Sequence, residues 1–316
     1  MKCIITGSTD GIGRETAIKM ANFGYDLVLP VRNLEKGEKL KLEIQKSNTK
    51  CHIYLYQCDF ADLDSVANFV NELKKNNQVC QVLINNIGIW NKKKELTKQG
   101  LEATFAVNHL SVFLLTSLIL AKNLLQPSSQ NSISGLTDNL VQKSKEININ
   151  GSKNLQNQYK SKENQKFKAR IVNLSSMGHY FAKVDWDDLQ FENKYNYNLA
   201  YYNSKLFNVL FTQKLAKILK TTNPDITCNC LHPGIVNTNL LILPELIRKS
   251  LGWLIMTPEK GARNSFFVAT DPSLENITGE YFDNFKIKKV SQNANIENQD
   301  KLWQISEKLL QKYLVK

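Results

Sequence analysis

Tyr201 and Lys205 stand four apart in the run AYYNSK, a spacing that puts both on one face of a helix. A phenol so placed can exchange a proton with the oxygen of a carbonyl or alcohol. A neighbouring ammonium would stabilise the phenolate and draw its titration down from ~10 toward working pH. With eleven tyrosines in a lysine-rich chain, such a pair arises about once by chance, so its placement decides. It follows the β-prone run RIVNLSS and precedes another, ITCNCLH. The first run ends in Ser175 and Ser176, whose side chains point to opposite sides of an extended chain. One of them can hydrogen bond the reacting oxygen as charge develops on it.

The first β-prone run, KCIIT, leads into Thr6-Gly7-Ser8-Thr9-Asp10-Gly11-Ile12-Gly13-Arg14 and then a helical pattern. Side chains at Gly7, Gly11 or Gly13 would hinder the tight turn, the approach of a pyrophosphate to backbone N–H groups, or helix packing on the sheet. A dinucleotide is the expected ligand. After the second run, YDLVLPV, comes Arg32 rather than an acidic residue. A guanidinium pairs with a 2′-phosphate where a carboxylate would hold ribose hydroxyls, so NADP(H) is favoured over NAD(H). Arg14 could add a second cation. After the third run, Asp59 in CDF could cap the next helix.

These residues need a scaffold that brings strand ends together. Seven β-prone runs (the four named, with CHIYLYQ, QVLINN and GEYF) alternate with helical patterns, the signature of an α/β fold with a mostly parallel, doubly wound sheet. Right-handed crossovers place the C-terminal strand ends on one edge, where ligands of such sheets bind. Residues 1–125 and 169–316 make one domain on this reading. Gln126 to Lys168 differs: thirteen Asn or Gln, seven Ser and seven Lys against three acidic residues describe a polar insertion expected to be disordered. It holds a third of the net +12, and its scarcity of aromatics, Tyr159 and Phe167 alone, argues against a nucleic-acid partner.

Six cysteines sit in apolar runs without CxxC or a His pair at ligand spacing, so no disulfide framework and no metal site are expected, and a reduced intracellular compartment is the default. The N-terminal apolar run is too short for a signal peptide or anchor, and LSVFLLTSLILA (Leu110 to Ala121) is too short to span a bilayer. Leu240 to Met256 mixes apolar residues with Arg248 and Lys249, as a lid on a lipophilic cleft or an interfacial helix would.

The glycine pattern TGxxxGxG at the start, with Asn85-Asn86-Ile87-Gly88, Asn108 in VNHL, Ser176, the Tyr201/Lys205 pair and Pro233-Gly234-Ile235-Val236-Asn237-Thr238, resembles the short-chain dehydrogenase/reductase family over nearly the whole chain except the insertion. The segments VRNLEKGE, VNHLSVFLLT, AYYNSKLFNVLFTQKLAK and TPEKGARNSFFVA look like its retinol dehydrogenase and WW-domain-oxidoreductase-like branch. The resemblance implies a Rossmann-type fold and an NADP(H)-dependent oxidoreductase acting on retinoids, steroids, isoprenoid alcohols or their carbonyl counterparts. It implies that Tyr201 transfers the proton, Lys205 tunes it and holds the ribose, Ser176 rather than Ser175 binds the substrate oxygen, and Asn108 holds a water linking the lysine to solvent. Gly7 to Arg14, Arg32, Asp59 at the adenine, Asn86, Gly88, Pro233, Gly234, Val236 and Thr238 would hold the cofactor. Ile87 departs from the family's small residue and should tighten packing, and His109 reads as a packing residue. The expected setting is cytoplasmic, with peripheral contact to an internal membrane and a homo-oligomer left open. A reading from another class is a catalytically silent, NADPH-binding regulator that uses the insertion as an interaction arm.

Overall fold

The computed structural model describes residues 1–128, 167–236 and 256–314. The strands are β1 (Lys2–Ile5), β2 (Asp26–Val31), β3 (Ile53–Gln57), β4 (Val82–Asn85), β5 (Ala169–Leu174), β6 (Ile226–His232), β7 (Tyr281–Asp283) and β8 (Lys286–Ile287). They form one sheet in the order β3-β2-β1-β4-β5-β6-β7-β8. Every pairing is parallel except β7 with β8. The seven expected runs are all strands, and β8 adds an antiparallel edge too short for a sequence pattern to reveal.

Successive side chains of a strand face opposite ways, so each apolar strand feeds two cores. Cys3 and Ile5 of β1 enter one core with Met20, Leu40, Ile44 and Val268. Ile4 enters the other with Phe69, Phe113, Phe207 and Phe211. The helices divide accordingly. α1 (Gly11–Phe23), α2 (Leu34–Ser47) and α6 (Pro258–Thr270) cover the first face, while α3 (Leu63–Lys75), α4 (Ala103–Ala121), α5 (Tyr197–Thr222) and α7 (Ile296–Leu309) cover the second. Strand order reverses between β1 and β4, and the crevice beyond their C-terminal ends is the ligand position of such sheets.

α4 corrects one expectation. Its apolar run begins before Leu110 and makes a helix of 19 residues, Ala103–Ala121, long and apolar enough to cross a bilayer. However, 83% of its most apolar window is buried in this fold, where a core helix of a doubly wound sheet belongs. Within it, Ala106–Leu110 form a π turn, a local widening that often accompanies functional side chains.

The expected insertion, 126–168, is mostly outside the described residues, but its ends belong to the body. Gln126 N–H donates to the Cys80 carbonyl at 2.9 Å, and Ser128 N–H donates to the Phe167 carbonyl at 2.9 Å. The body therefore extends three residues further at the first boundary and two at the second. The Leu240 to Met256 segment also lies outside, except Met256, whose N–H donates to the Ile235 carbonyl at 2.8 Å.

Candidate active site

The glycine turn is built as its residue types require. Asp10 caps α1, its carboxylate accepting the Gly11 N–H at 2.7 Å. Gly7 has φ +63°, a conformation glycine adopts without strain. A Cβ at Gly13 would stand 2.1 Å from the Gly7 carbonyl oxygen and 2.4 Å from Asn86 Nδ2, so only glycine lets α1 approach the turn. Asn86 Nδ2 donates to the Thr6 and Gly7 carbonyls at 2.9 and 3.0 Å. Thr6 Oγ1 accepts the N–H groups of Asn86 and Ile87 at 3.0 and 2.9 Å. β1 and β4 are thereby joined at their C-terminal ends. Ile87 packs as expected, its Cδ1 lying 3.3 Å from where a Gly7 Cβ would be.

The Pro233–Val236 segment closes on the same turn. A Cβ at Gly261, in the first turn of α6, would meet Val236 Cγ2 at 2.6 Å, Ile12 Cγ1 at 3.3 Å and the Pro233 carbonyl at 3.3 Å. Gly234 has φ +95°. Thr238 lies outside the described residues. Two observations bear on whether a dinucleotide fits here. The backbone at Gly7 and Gly13 forms a cradle that side chains would fill. The Ser8 hydroxyl, buried in that cradle, has no partner among the described residues, as expected of a group that meets a ligand.

The two arginines fare differently. Arg32 is exposed just beyond β2, with no ion pair among the described residues. Arg14 is tied to Glu15 and Glu43, so the second cation offered by the sequence is already engaged. Asp59 does not cap a helix. That role falls to Asp62, whose carboxylate accepts the Asp64 N–H at 3.1 Å. Asp59 shapes the turn before it, accepting the Ala61 N–H at 3.0 Å.

Tyr201, Lys205, Ser176 and Asn108 come together at this edge. The Ser176 hydroxyl lies near enough to the Tyr201 phenol to favour its ionised form, and it accepts the Gly178 N–H at 3.1 Å. Ser175 turns away, donating to the Lys205 carbonyl at 2.7 Å, so the two serines diverge as an extended chain requires. Lys205 Nζ lies 5.3 Å from the centre of the Tyr201 ring and donates to the Leu174 carbonyl at 3.3 Å. A Cβ at Gly88 would sit 3.3 Å from that ammonium, which explains a glycine at the end of the β4 loop.

Asn108 occupies the π turn and is fully buried. Its side chain accepts the Ile89 N–H at 2.7 Å and donates to the Ile89 carbonyl at 2.9 Å. It also donates to Ser204 Oγ at 2.9 Å, and Ser204 donates to the Tyr201 carbonyl at 2.7 Å. The asparagine thus fixes the β4 loop against the tyrosine's helix. Ser204 was missed in sequence, though its place directly before Lys205 was a signal. His109 is the packing residue expected: it is buried among Phe105, Phe113, Phe207 and Phe211. Its Nε2 lies 2.8 Å from Ser306 Oγ.

Electrostatics modify the expectation for the pair. Burial pushes the Tyr201 phenol up to about 12, opposed by the nearby Ser176 hydroxyl. Burial also pulls the Lys205 ammonium down to about 8. Desolvation, which spacing alone does not disclose, outweighs the downward pull expected on the phenol. Near neutral pH the pair is therefore a protonated phenol beside an ammonium, a competent proton donor.

Comparison with known proteins identifies the family. The sequence model of the short chain dehydrogenase family matches residues 2–133. Human polyprenol dehydrogenase is 33% identical over 306 residues, covering 95% of this chain and 82% of that protein. Mouse retinol dehydrogenase 11 is 32% identical, covering 97% and 85%. Among solved structures, an uncharacterised protein from Mycobacterium paratuberculosis superposes with a TM-score of 0.70 at 24% identity, covering 98% of this chain and 93% of its own. With the glycine cradle, the strand order and relatives of this similarity, the chain belongs to the short-chain dehydrogenase/reductase family, in its retinol dehydrogenase-like branch.

Proposed function

We propose that this protein is an NADP(H)-dependent oxidoreductase that interconverts a lipophilic alcohol and its carbonyl compound. One observation carries the reading: Tyr201, Ser176 and Lys205 converge at the strand edge that also bears the glycine cradle and the Ser8 hydroxyl, which has no partner among the described residues. When bound there, a nicotinamide dinucleotide supplies the hydride donor or acceptor. Gly7 to Gly13 and Ser8 would hold its pyrophosphate, Asp59 its adenine, and Asn86, Gly88, Pro233, Gly234, Val236 and Thr238 its nicotinamide half. Arg32, exposed and without an ion pair among the described residues, would meet a 2′-phosphate. Arg14, held by two carboxylates, would contribute little.

The chain's own residues handle the proton. Ser176 donates a hydrogen bond to the substrate oxygen as negative charge grows on it. Tyr201 delivers its proton to that oxygen in reduction and takes it back in oxidation. Lys205 lowers the cost of the phenolate while it is charged and would hold the ribose. Asn108 and Ser204 keep the tyrosine's helix against the β4 loop. The lipophilic substrate class is supported by the relatives named for polyprenol and retinol and by the Trp90 and Tyr202 rings beside the Tyr201 phenol. The insertion is proposed to be a surface appendage of the single catalytic domain. The intact Ser, Tyr, Lys and Asn set gives no support to a silent regulator.

The test is oxidation of NADPH and of NADH with retinal, a long isoprenoid aldehyde, a steroid ketone and a small aromatic aldehyde. Turnover with NADPH and a lipophilic carbonyl, and loss of more than about 99% of it in Tyr201→Phe with cofactor binding retained, is expected. Equal use of NADH, or unchanged turnover in that variant, would refute the cofactor or the tyrosine assignment respectively.

A further inference from the structure

Ser176 opens the 3-10 turn Met177–Phe181 from an extended backbone, with φ −159° and ψ 159°. Its hydroxyl accepts the Gly178 N–H at 3.1 Å, so where its own O–H points depends on how that turn is held. His179 holds it twice. Its main-chain N–H donates to the Ser176 carbonyl at 3.1 Å, and its ring Nδ1 lies 2.7 Å from the same oxygen. A carbonyl oxygen only accepts, so Nδ1 carries the proton of the neutral ring and Nε2 is bare.

Packing alone would not select a histidine here. The ring is fully buried, packed against Tyr180 at 3.9 Å and Tyr281 at 4.6 Å, centroid to centroid, and its Nε2 has no partner among the described residues. A phenyl ring would fill this space without an orphan acceptor; what it would lack is the N–H on the Ser176 carbonyl. The rest of the segment is tied to α5, the helix that carries Tyr201 and Lys205. A Cβ at Gly178 would stand 2.8 Å from Tyr202 Cδ1, so glycine lets the turn lie against that helix. Ser175 ties the near end through the Lys205 carbonyl. Asn203 clamps the far end, accepting the Lys183 N–H at 3.0 Å and donating to the Lys183 carbonyl at 3.1 Å. Between these two ties, His179 sets the course of the chain at Ser176.

We propose that His179 is a positioning residue for the reaction: its Nδ1–H bond to the Ser176 carbonyl holds the serine so that its hydroxyl meets the substrate oxygen beside Tyr201. The inference rests on the oxidoreductase reading and adds a residue to the machinery that reading names. His179 acts through Ser176 alone. Asparagine carries an amide N–H one bond beyond Cγ, where the histidine carries Nδ1, and can keep the bond; phenylalanine keeps the ring and loses the bond. Displacing a group that binds developing charge by about 1 Å costs up to about 100-fold in rate.

The experiment measures kcat and KM for a lipophilic carbonyl with NADPH, together with NADPH affinity and thermal melting, in wild type, His179→Phe, His179→Asn, Ser176→Ala and the double variant of Ser176→Ala with His179→Phe. His179→Phe should lose about 10-fold to 100-fold in kcat, with KM and NADPH affinity within about threefold of wild type. His179→Asn should recover to within about fivefold of wild-type kcat although it melts lower for want of a ring. In the Ser176→Ala background His179→Phe should cost less than about twofold, because the serine through which it acts is gone. Nitrogen-15 NMR of the histidine-labelled wild type should show the His179 ring, identified by the signal lost in His179→Phe, protonated on Nδ1. Activity that follows melting temperature across the variants, losses that multiply in the double variant, or a ring protonated on Nε2 overturns the inference and leaves the oxidoreductase reading standing. No turnover of any carbonyl by the wild type overturns both.

Discussion

Replacing Lys205 by methionine removes the ammonium but keeps a side chain of similar length and apolar volume. The charge lies 5.3 Å from the centre of the phenol ring. At that separation a unit charge is worth about 3 kcal/mol at an effective dielectric of about 20, and under about 1 kcal/mol in bulk water. At about 1.4 kcal/mol per pKa unit, the phenolate loses roughly two units of stabilisation in this buried pair. Alcohol oxidation needs the phenolate as base, so kcat/KM for oxidation at neutral pH should fall by about a hundredfold in Lys205→Met.

The pH dependence has a definite sign. Lys205 is pulled down to about 8, so its help to the phenolate is complete below that pH and is lost as pH rises through it. The wild type's advantage over Lys205→Met should be largest below about pH 7 and shrink steadily above about pH 8. The assay is initial-rate alcohol oxidation from about pH 6 to about pH 10, with cofactor affinity determined separately at each pH, because Lys205 is also proposed to hold the ribose. Thermal stability should not fall, since the variant removes a buried charge held by one carbonyl at 3.3 Å. A rate ratio that is independent of pH, or a loss accounted for by cofactor affinity alone, would refute this account of the lysine.

Gly13→Ala places a methyl group 2.1 Å from the Gly7 carbonyl; helix α1 must retreat, and NADPH affinity measured by fluorescence titration should weaken by at least about 100-fold, whereas a change under about threefold would discount the cradle. Burial lowers His109 to about 3 and His232 to about 4, so both stay neutral in the fold yet charge in the unfolded chain. Their stability contribution is full above about pH 6.5 and is lost as pH falls toward 4, by up to about 3 kcal/mol per histidine at pH 4.5. Urea midpoints across that range should show the loss, with a shallower slope in His109→Phe; a flat profile would refute it.

The parts legible in sequence are those imposed by local stereochemistry. Gly7 and Gly13 announce a turn because no other residue fits, the seven strand runs announce themselves by β-branched and apolar composition, and Tyr201 and Lys205 share a helix face by spacing alone. The divergence of Ser175 and Ser176 follows from strand periodicity. What stayed hidden depends on contacts between distant segments. Trp90 meets Tyr201 across 111 residues of chain, and Asn108 meets Ser204 across 96. The capping role offered to Asp59 passed to Asp62 because the turn runs three residues longer than its motif shows. The titration of the pair also turned on burial, which is a property of everything packed around it.

One further feature explains why these dispersed groups keep their geometry. Just below the site, Asn85 Nδ2 of β4 donates to Asn173 Oδ1 of β5 at 2.8 Å and to Thr116 Oγ1 of α4 at 3.1 Å. Asn173 Nδ2 donates in turn to Thr212 Oγ1 of α5 at 2.9 Å. These are the four elements that carry Gly88, Asn108, Ser176 and Tyr201. An apolar filling could match this chain of amides in stability, but it would tolerate sliding. A directional hydrogen bond does not, because a shift of one residue leaves a buried amide unpaired at about 1–3 kcal/mol. The polar layer therefore acts on register: it holds β4 against β5 and both against their helices, and the reacting groups inherit their separations from it.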